Sequence, residues 1–211
     1  MARGKGVKYL KTRKALLIVV ALDCPSPKGT IFYVFPKHNT PDGRKVGGER
    51  ILAFKKGNPN TTFVKVTDTD TATIVGVAKW DVHKGVVPDE VEMEGDYWDS
   101  EQDKKLAQEM WAGFLMPRRQ AIKDTTLDLL CVHPDYQRKG AGHMLTRWGT
   151  AIADEKGILA VVEASPQGRG LYTSEGFQVE IDHYTVQLSD EFKARPTQDF
   201  TWMIRPAKTK T

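Results

Sequence analysis

Cysteine is scarce in this chain. Cys24 and Cys131 are the only two in 211 residues, and no C-x-x-C pair occurs, so neither a disulfide framework nor a zinc site has enough thiol ligands. A reduced, cytoplasmic setting is the expectation. The five histidines, His38, His83, His133, His143 and His183, stand singly, without H-x-x-x-H or H-E-x-x-H spacing, which leaves metal chemistry without a ligand set. No metal is expected. Membrane-length apolar runs are missing too: "ALLIVVAL", residues 15–22, is far shorter than the ~20 residues a bilayer requires, and no membrane partner is expected. The basic segment ahead of it gives this run the outline of a secretory leader, but "DCPSP" follows without a small-x-small cleavage site. Rich in β-formers and closed by a Pro-containing turn, it reads instead as a first strand. A net charge of +4 hides a further absence. Six of the 31 basic residues lie in the first fourteen positions, leaving 25 basic against 27 acidic over the rest. The uniformly basic surface that grips nucleic acid is not there.

With 40% hydrophobic residues the chain can bury one sizeable core, and a single domain over 1–211 is the expectation. Residues 25–60, rich in Pro, Gly, Asn and Lys, read as loops with at most one short helix. "TTFVKVTD" (61–68) and "TATIVGVAKWDV" (71–82), joined around "TDTD", predict an antiparallel hairpin. Residues 89–103 carry eight acids and no base. Such a run is ordinarily a solvated loop; its functional alternative is a rim that draws in a cationic substrate. A helix is expected from near Ser100, whose hydroxyl can cap its free amides, with Leu106, Met110, Trp111 and Phe114 on the core face. Pro117 is expected to end or kink it. A second helix over 142–156 carries Leu145, Trp148, Gly149 and Ile152 on one stripe and stops at Gly157. "ILAVVEA" (158–164) suits the middle of a mixed sheet. Ser165 and Pro166 open a short helix that Gly176 closes, and "FQVEIDHYTVQL" and "DFTWMIRP" read as the last strands.

The most informative stretch is "LDLLCVHPDYQRKGAGHML", residues 127–145. It opens as a buried strand and closes as a helix, with two glycines and two adjacent cations at the corner. In "QRKGAG" the glycines allow a ligand close to the backbone, and amides at the helix start, with Arg138 and Lys139 beside them, make an anion site. A P-loop is excluded because no Lys-Ser or Lys-Thr follows the glycines. A dinucleotide fingerprint is excluded because Leu145 stands where the third glycine belongs. What remains is Q-x-x-G-x-G, read as Gln137, Gly140 and Gly142, preceded by "VHPDY".

With "ILAVVEAS" and "GLYTSEGF" following in that order, this stretch is similar to the GNAT superfamily of acyl-CoA-dependent N-acetyltransferases, in particular to its small fungal members. The resemblance covers residues 61–187. It implies an α/β (α+β) fold, with a central, splayed, mostly antiparallel sheet flanked by helices, and acetyl-CoA as co-substrate. The pyrophosphate of CoA would lie against the amides of Arg138, Lys139, Gly140, Ala141, Gly142 and His143, with Gln137 and Ser165 also at the cofactor. The pantetheine arm would pair with the backbone of Leu130, Cys131 and Val132 at an open sheet edge. Cys131 then reads as strand packing, since the family transfers the acyl group directly.

An amine of pKa ~10.4 is neutral at pH 7 only about once in 2,500 molecules, a cost of about 4.6 kcal/mol, so a proton acceptor is worth having. Asp128 on the strand, His133 at its end and Glu163 on the next strand are the candidates. Strict alternation puts Asp128 with Leu130 on one face, opposite Leu127, Leu129 and Cys131, so Asp128 reads equally as a structural hydrogen-bonder. Tyr172 matches the tyrosine that relatives use to protonate the departing thiolate; its plainer reading is packing beside Leu171 and Phe177. The acceptor implied is the primary amine of a small molecule, cationic if the acidic run is a rim. Acetylation of protein N-termini or lysines, and a CoA-binding module without turnover, are the alternatives. A homodimer is compatible with all three.

Overall fold

The computed structural model describes residues 6–9, 33–83, 85, 93–121, 125–197 and 199–208. Seven strands form one sheet: β1 (Gly6–Tyr9), β2 (Thr61–Thr67), β3 (Ile74–Val82), β4 (Thr125–Val132), β5 (Ala160–Ala164), β6 (Gln178–Thr185) and β7 (Asp199–Arg205). Their order is β1-β2-β3-β4-β5-β7-β6. Every neighbouring pair is antiparallel except β4 and β5. The β2–β3 hairpin forms as its alternation predicts. Its turn is held by the Asp68 carboxylate, which accepts from the amides of Asp70 and Thr71 at 3.0 and 3.2 Å, the self-bonding that suits Asp to turns. Residues 15–22, expected as the first strand, lie outside the described residues; the first described strand is "GVKY", paired along β2.

Four α-helices that lie wholly within the described residues flank the sheet. Helix α1 (Pro41–Gly57) is far longer than the short helix expected before residue 60. Thr40 caps it by accepting from the Gly43 amide at 3.0 Å, and Pro41 sits in the first turn, where its missing N–H costs nothing. Helix α2 (Glu101–Ala121) starts as predicted, with Ser100 Oγ accepting from the Asp103 amide at 3.1 Å. It does not end at Pro117 but runs four residues past it. Proline there leaves the Gly113 carbonyl without its helical donor, and the Tyr184 hydroxyl donates to that oxygen at 3.0 Å. Leu106 and Met110 of α2 bury against Val186, Phe192 and Phe200.

Helix α3 (Ala141–Lys156) covers the opposite face of β2, β3 and β4 and stops at Gly157, which turns left-handed at φ 65°. A short α4 (Arg169–Ser174) follows β5. Helix α3 packs tightly on the sheet at Gly149, where an added Cβ would stand 2.2 Å from the indole of Trp80. That indole is itself fixed, donating from Nε1 to the Leu145 carbonyl at 3.2 Å. Because neither helix nor ring can yield, Gly149→Val is expected to cost at least the ~1–3 kcal/mol typical of an overpacked core. The denaturant midpoint measures it; a variant as stable as the parent would mean that α3 can lift off β3 freely.

Candidate functional site

The sheet opens at its centre. β4 and β5 pair over only three positions, Thr125↔Ala160, Thr126↔Val161 and Leu127↔Val162. On its other side β4 stays paired with β3 as far as Val132↔Gly76. Among the described residues, therefore, the β5-facing edge of β4 from Asp128 to Val132 has no strand against it. An amide-bearing ligand can add there as a strand would. Leu130, Cys131 and Val132, the residues that the resemblance gives to the pantetheine arm, lie on this edge.

The fork begins at a β-bulge. Lys79 pairs with Leu129 and Trp80 with Leu127, so Asp128 is the extra residue. A bulge resets the alternation of side chains, which corrects the strict period-two reading of this strand. Leu127, Leu130 and Val132 all pack on the α3 side, whereas Leu129 and Cys131 join Ile51, Phe63 and Val77 on the other. Asp128 does not share a face with Leu130.

Past Val132 the chain makes one 3-10 turn, Pro134–Tyr136, capped by His133, whose Nδ1 accepts from the Asp135 amide at 3.3 Å. Gln137 Nε2 donates back to the Val132 carbonyl at 3.2 Å, and Lys139 Nζ to the Asp135 carbonyl at 2.7 Å. Arg138 and Gly140 are both left-handed, at φ 58° and 86°. Gly140 stands at the N-cap of α3 with no side chain capping the helix, so the first-turn amides remain available to an anion. The two glycines do different jobs. A Cβ on Gly140 would meet nothing within 4 Å, so this glycine serves the turn and an open surface, whereas one on Gly142 would stand 2.9 Å from Leu171, so that glycine lets α4 pack on α3.

The remaining expected cofactor residues act through backbone or support. Ala141 is buried in the core. His143 Nδ1 pairs with Glu175 Oε1 at 2.5 Å, alongside Arg147, which turns the ring away and leaves only its amide at the loop. Ser165 Oγ accepts from the Gly168 amide at 3.2 Å, fixing the turn before α4. Tyr172 is 6% exposed, its ring set edge-on to Phe177 at 5.8 Å.

A buried charge cluster lies at the base of the fork, on the face opposite α3. Immediately past the last β4–β5 pair stand Asp128 on one strand and Glu163 on the other, and the guanidinium of Arg118, from the last turn of α2, grips both. Its Nε donates to Glu163 Oε1 at 2.8 Å, Nη2 reaches Glu163 Oε2, and Nη1 reaches Asp128 Oδ1. Lys79 bonds the second oxygen of Asp128 and, at 2.8 Å, Asp81 Oδ2; the Thr61 hydroxyl bonds Asp81 Oδ1. Burial works against the charge of Asp128, but Arg118 and Lys79 outweigh it and hold the carboxyl below the usual range. Burial pushes Glu163 up in spite of Arg118. Burial likewise pushes Asp81 up to about 7; the neighbouring Asp128 adds to the rise and Lys79 offsets only part of it. Burial would also lower Arg118, but its two carboxylate partners raise it above the ordinary arginine value.

Sequence reasoning named Asp128 and Glu163 but missed Lys79, Asp81 and Arg118. One signal was present: two charges, two residues apart, inside the otherwise apolar strand "IVGVAKWDV".

Residues 96–179 match the family model described as an acetyltransferase (GNAT) domain. The same fold is found in the C-terminal condensation domain of Ebony in complex with beta-alanyl-dopamine, at 13% identity, TM-score 0.65 and coverage of 96% of this chain and 98% of that one. It is found in mosquito arylalkylamine N-acetyltransferase like 5b, at 16% identity, TM-score 0.61 and coverage of 96% and 99%. It recurs in yncA from Salmonella typhimurium, solved with its cofactor acetyl-CoA, at 14% identity, TM-score 0.53 and coverage of 98% and 96%. No curated protein matches the sequence significantly. The forked sheet and the glycine corner are thus those of the GNAT fold, and residues 96–179 are similar to its acetyltransferase domain.

Proposed function

We propose that this protein moves an acetyl group directly from acetyl-CoA to the primary amine of a small molecule. The observation that carries the reading is the continuity of two open features: the unpaired edge of β4 from Asp128 to Val132, and the uncapped amides of α3 that follow it. Amides of residues 138–143 would hold the pyrophosphate, Gly140 allowing close approach, with the cations of Arg138 and Lys139 beside them. Backbone groups of Leu130, Cys131 and Val132 would pair with the pantetheine amides, which places the thioester end toward the fork. The amine nitrogen would attack the thioester carbonyl, the C–N bond forming as the C–S bond breaks, and Tyr172 would protonate the leaving sulfur.

The acidic segment before α2 lends less to the acceptor than its composition suggests. Glu94 is paired with Lys104 at 2.7 Å and Asp99 with Lys37 at 2.5 Å, while residues 89–92 lie outside the described residues. A cationic acceptor is better supported by the fork itself, where three carboxylates face two cations.

Calorimetry with acetyl-CoA, paired with thiol release across polyamines, arylalkylamines, aminoglycosides, amino acids and short peptides, tests the reading. Saturable heat and turnover with at least one small amine are expected. Gly140→Val forces a β-branched residue to φ 86°, a conformation costing ~1–3 kcal/mol, and should weaken acetyl-CoA binding about tenfold. No heat with acetyl-CoA would overturn the reading. Turnover with peptides alone would move the acceptor to proteins, and binding without turnover would leave a CoA-binding module.

A further inference from the structure

The charge cluster under the fork does not balance. Arg118 is shared by Asp128 and Glu163, and Lys79 by Asp128 and Asp81. Three carboxyl groups thus share two cations in a site where the side chains of Asp81, Asp128 and Glu163 are 10%, 13% and 1% exposed. Low-dielectric surroundings cannot hold an uncompensated charge cheaply, so one carboxyl must carry a proton or wait for one. Glu163 and Asp128 each have the guanidinium. Asp81 has no cation but Lys79 among the described residues, which it shares, with the Thr61 hydroxyl and the carboxyl of Asp128 itself as its other partners. Asp81 is the under-compensated member.

A second observation points to the same spot. Thr126 is the cross-strand partner of Asp81, so the two side chains share a face. Its hydroxyl is buried, the residue being 1% exposed, and has no hydrogen-bond partner. A buried hydroxyl without a partner is rare, and beside Asp81 it can accept a hydrogen bond from a protonated carboxyl or from a water. His83, at the end of β3, is the other titratable group nearby. Burial lowers its pKa, and its Nδ1 lies 3.4 Å from Asn60 Nδ2, so it enters as a neutral ring.

We propose that Asp81 is the residue of this cluster that takes up the proton shed by the acceptor amine, acting through Lys79. This rests on the acetyltransferase reading above and deepens it. Lys79, at 20% exposure, is the most open of the five side chains. Lys79 Nζ first passes a proton across its 2.8 Å bond to Asp81 Oδ2, and the neutral amine left on Lys79 then takes one from the acceptor's ammonium. An N–H bond of the substrate breaks, an O–H bond forms on Asp81, and Lys79 regains its charge. The free amine then attacks; the second proton leaves the nitrogen as the amide forms, and the sulfur gains one. Asp128 is the positioning residue, its second oxygen fixing Lys79 while Arg118 fixes the first. Asp81's proton affinity, raised to about 7 by burial and by Asp128, suits uptake and release near neutrality.

The test begins without turnover. Carboxyl resonances of aspartate-labelled intact protein are followed against pH in the parent and in Asp81→Asn. One carboxyl titrating at about pH 7, absent from the variant, is expected. No such carboxyl, or one that survives the substitution, overturns the proposal whether or not any amine is acetylated. With an acetylated amine in hand, log(kcat/KM) should rise with pH to a plateau above about 7 in the parent. In Asp81→Asn that acid limb should vanish while activity falls about 10²-fold, and Asp81→Glu should restore the limb. An unchanged limb in Asp81→Asn sinks the idea. If Asp81→Asn fails to fold, Thr61→Val serves instead. Losing the hydroxyl that bonds the ionised carboxylate should move the titration to higher pH, and no movement overturns the proposal. Failure of acetyl-CoA to bind would remove the acetyltransferase reading, while the carboxyl titration would still decide whether Asp81 holds the proton.

Discussion

Arg118→Ala should destabilise the protein by about 3–5 kcal/mol, the range seen when one partner of a buried ion pair is removed. The reason is what stays behind. Asp128 and Glu163 face one another where β4 and β5 part, and without the guanidinium two nearly sealed carboxylates oppose each other with Lys79 alone to offset them. Three elements, α2, β4 and β5, also lose a side chain that joins them. Arg118→Lys should cost less in charge but still fail, because an ammonium cannot bond both oxygens of Glu163 and reach Asp128 as the planar guanidinium does.

The pH dependence gives this prediction its own signature. In the parent, Asp128 is held below its ordinary value, so its contribution is present above about pH 4, the unfolded pKa, and fades as pH falls through the lower folded one. Asp81 works the other way. Its folded pKa is raised, so stability declines as pH climbs from about 4 toward about 7. Removing Arg118 turns Asp128 into a group of Asp81's kind. Arg118→Ala should therefore lose more stability at pH 8 than at pH 5, and adding Glu163→Gln should recover part of the loss. Chemical denaturation at the two pH values measures it. A loss under about 1 kcal/mol, the value of an exposed ion pair, with no pH dependence would mean that water replaces the guanidinium and that the fork does not need it.

The charged cluster is also where sequence reading ran out, for a definite physical reason. The hairpin, α3 with its Gly157 stop and the last three strands follow from local rules, since each is set by residues within a few positions of one another. The glycine corner was readable for the same reason. Helix α1 was not, because Gly43, Gly47 and Gly48 dilute the helical pattern, although Gly47 and Gly48 are buried. Nor was the passage of α2 through Pro117, which depends on the hydroxyl of Tyr184. The bulge at Asp128 carries no glycine or proline to announce it. Lys79, Asp81, Arg118, Asp128 and Glu163 come from four elements, and only strand order brings them together. A residue that owes its role to such a meeting leaves at most a charge in an apolar strand.

Tyr172→Phe should lower kcat by roughly 10²-fold, the lower end of what a positioned general acid contributes, and leave KM for acetyl-CoA nearly unchanged. The ring is held by the fold, and phenylalanine keeps that packing. It lies edge-on to Phe177, with Gly168 so close that a Cβ there would stand 3.1 Å from it. The Tyr172 carbonyl accepts from the amides of both Glu175 and Phe177 at 3.0 Å, which pins the backbone at the close of α4. Losing a hydroxyl alone should cost only about 1 kcal/mol of stability. The effect on rate depends on how much the sulfur needs a proton. A thiol in water has a pKa of ~8.5 and its thiolate leaves readily, but in a fork closed to water, beside carboxylates, that pKa rises and an unprotonated thiolate becomes a poor leaving group. A fall in kcat with unaltered KM would show an interaction made only in the transition state. Undiminished kcat would show that the sulfur leaves as thiolate and that Tyr172 is a packing residue. A rise in KM with kcat preserved would place the hydroxyl on the bound cofactor.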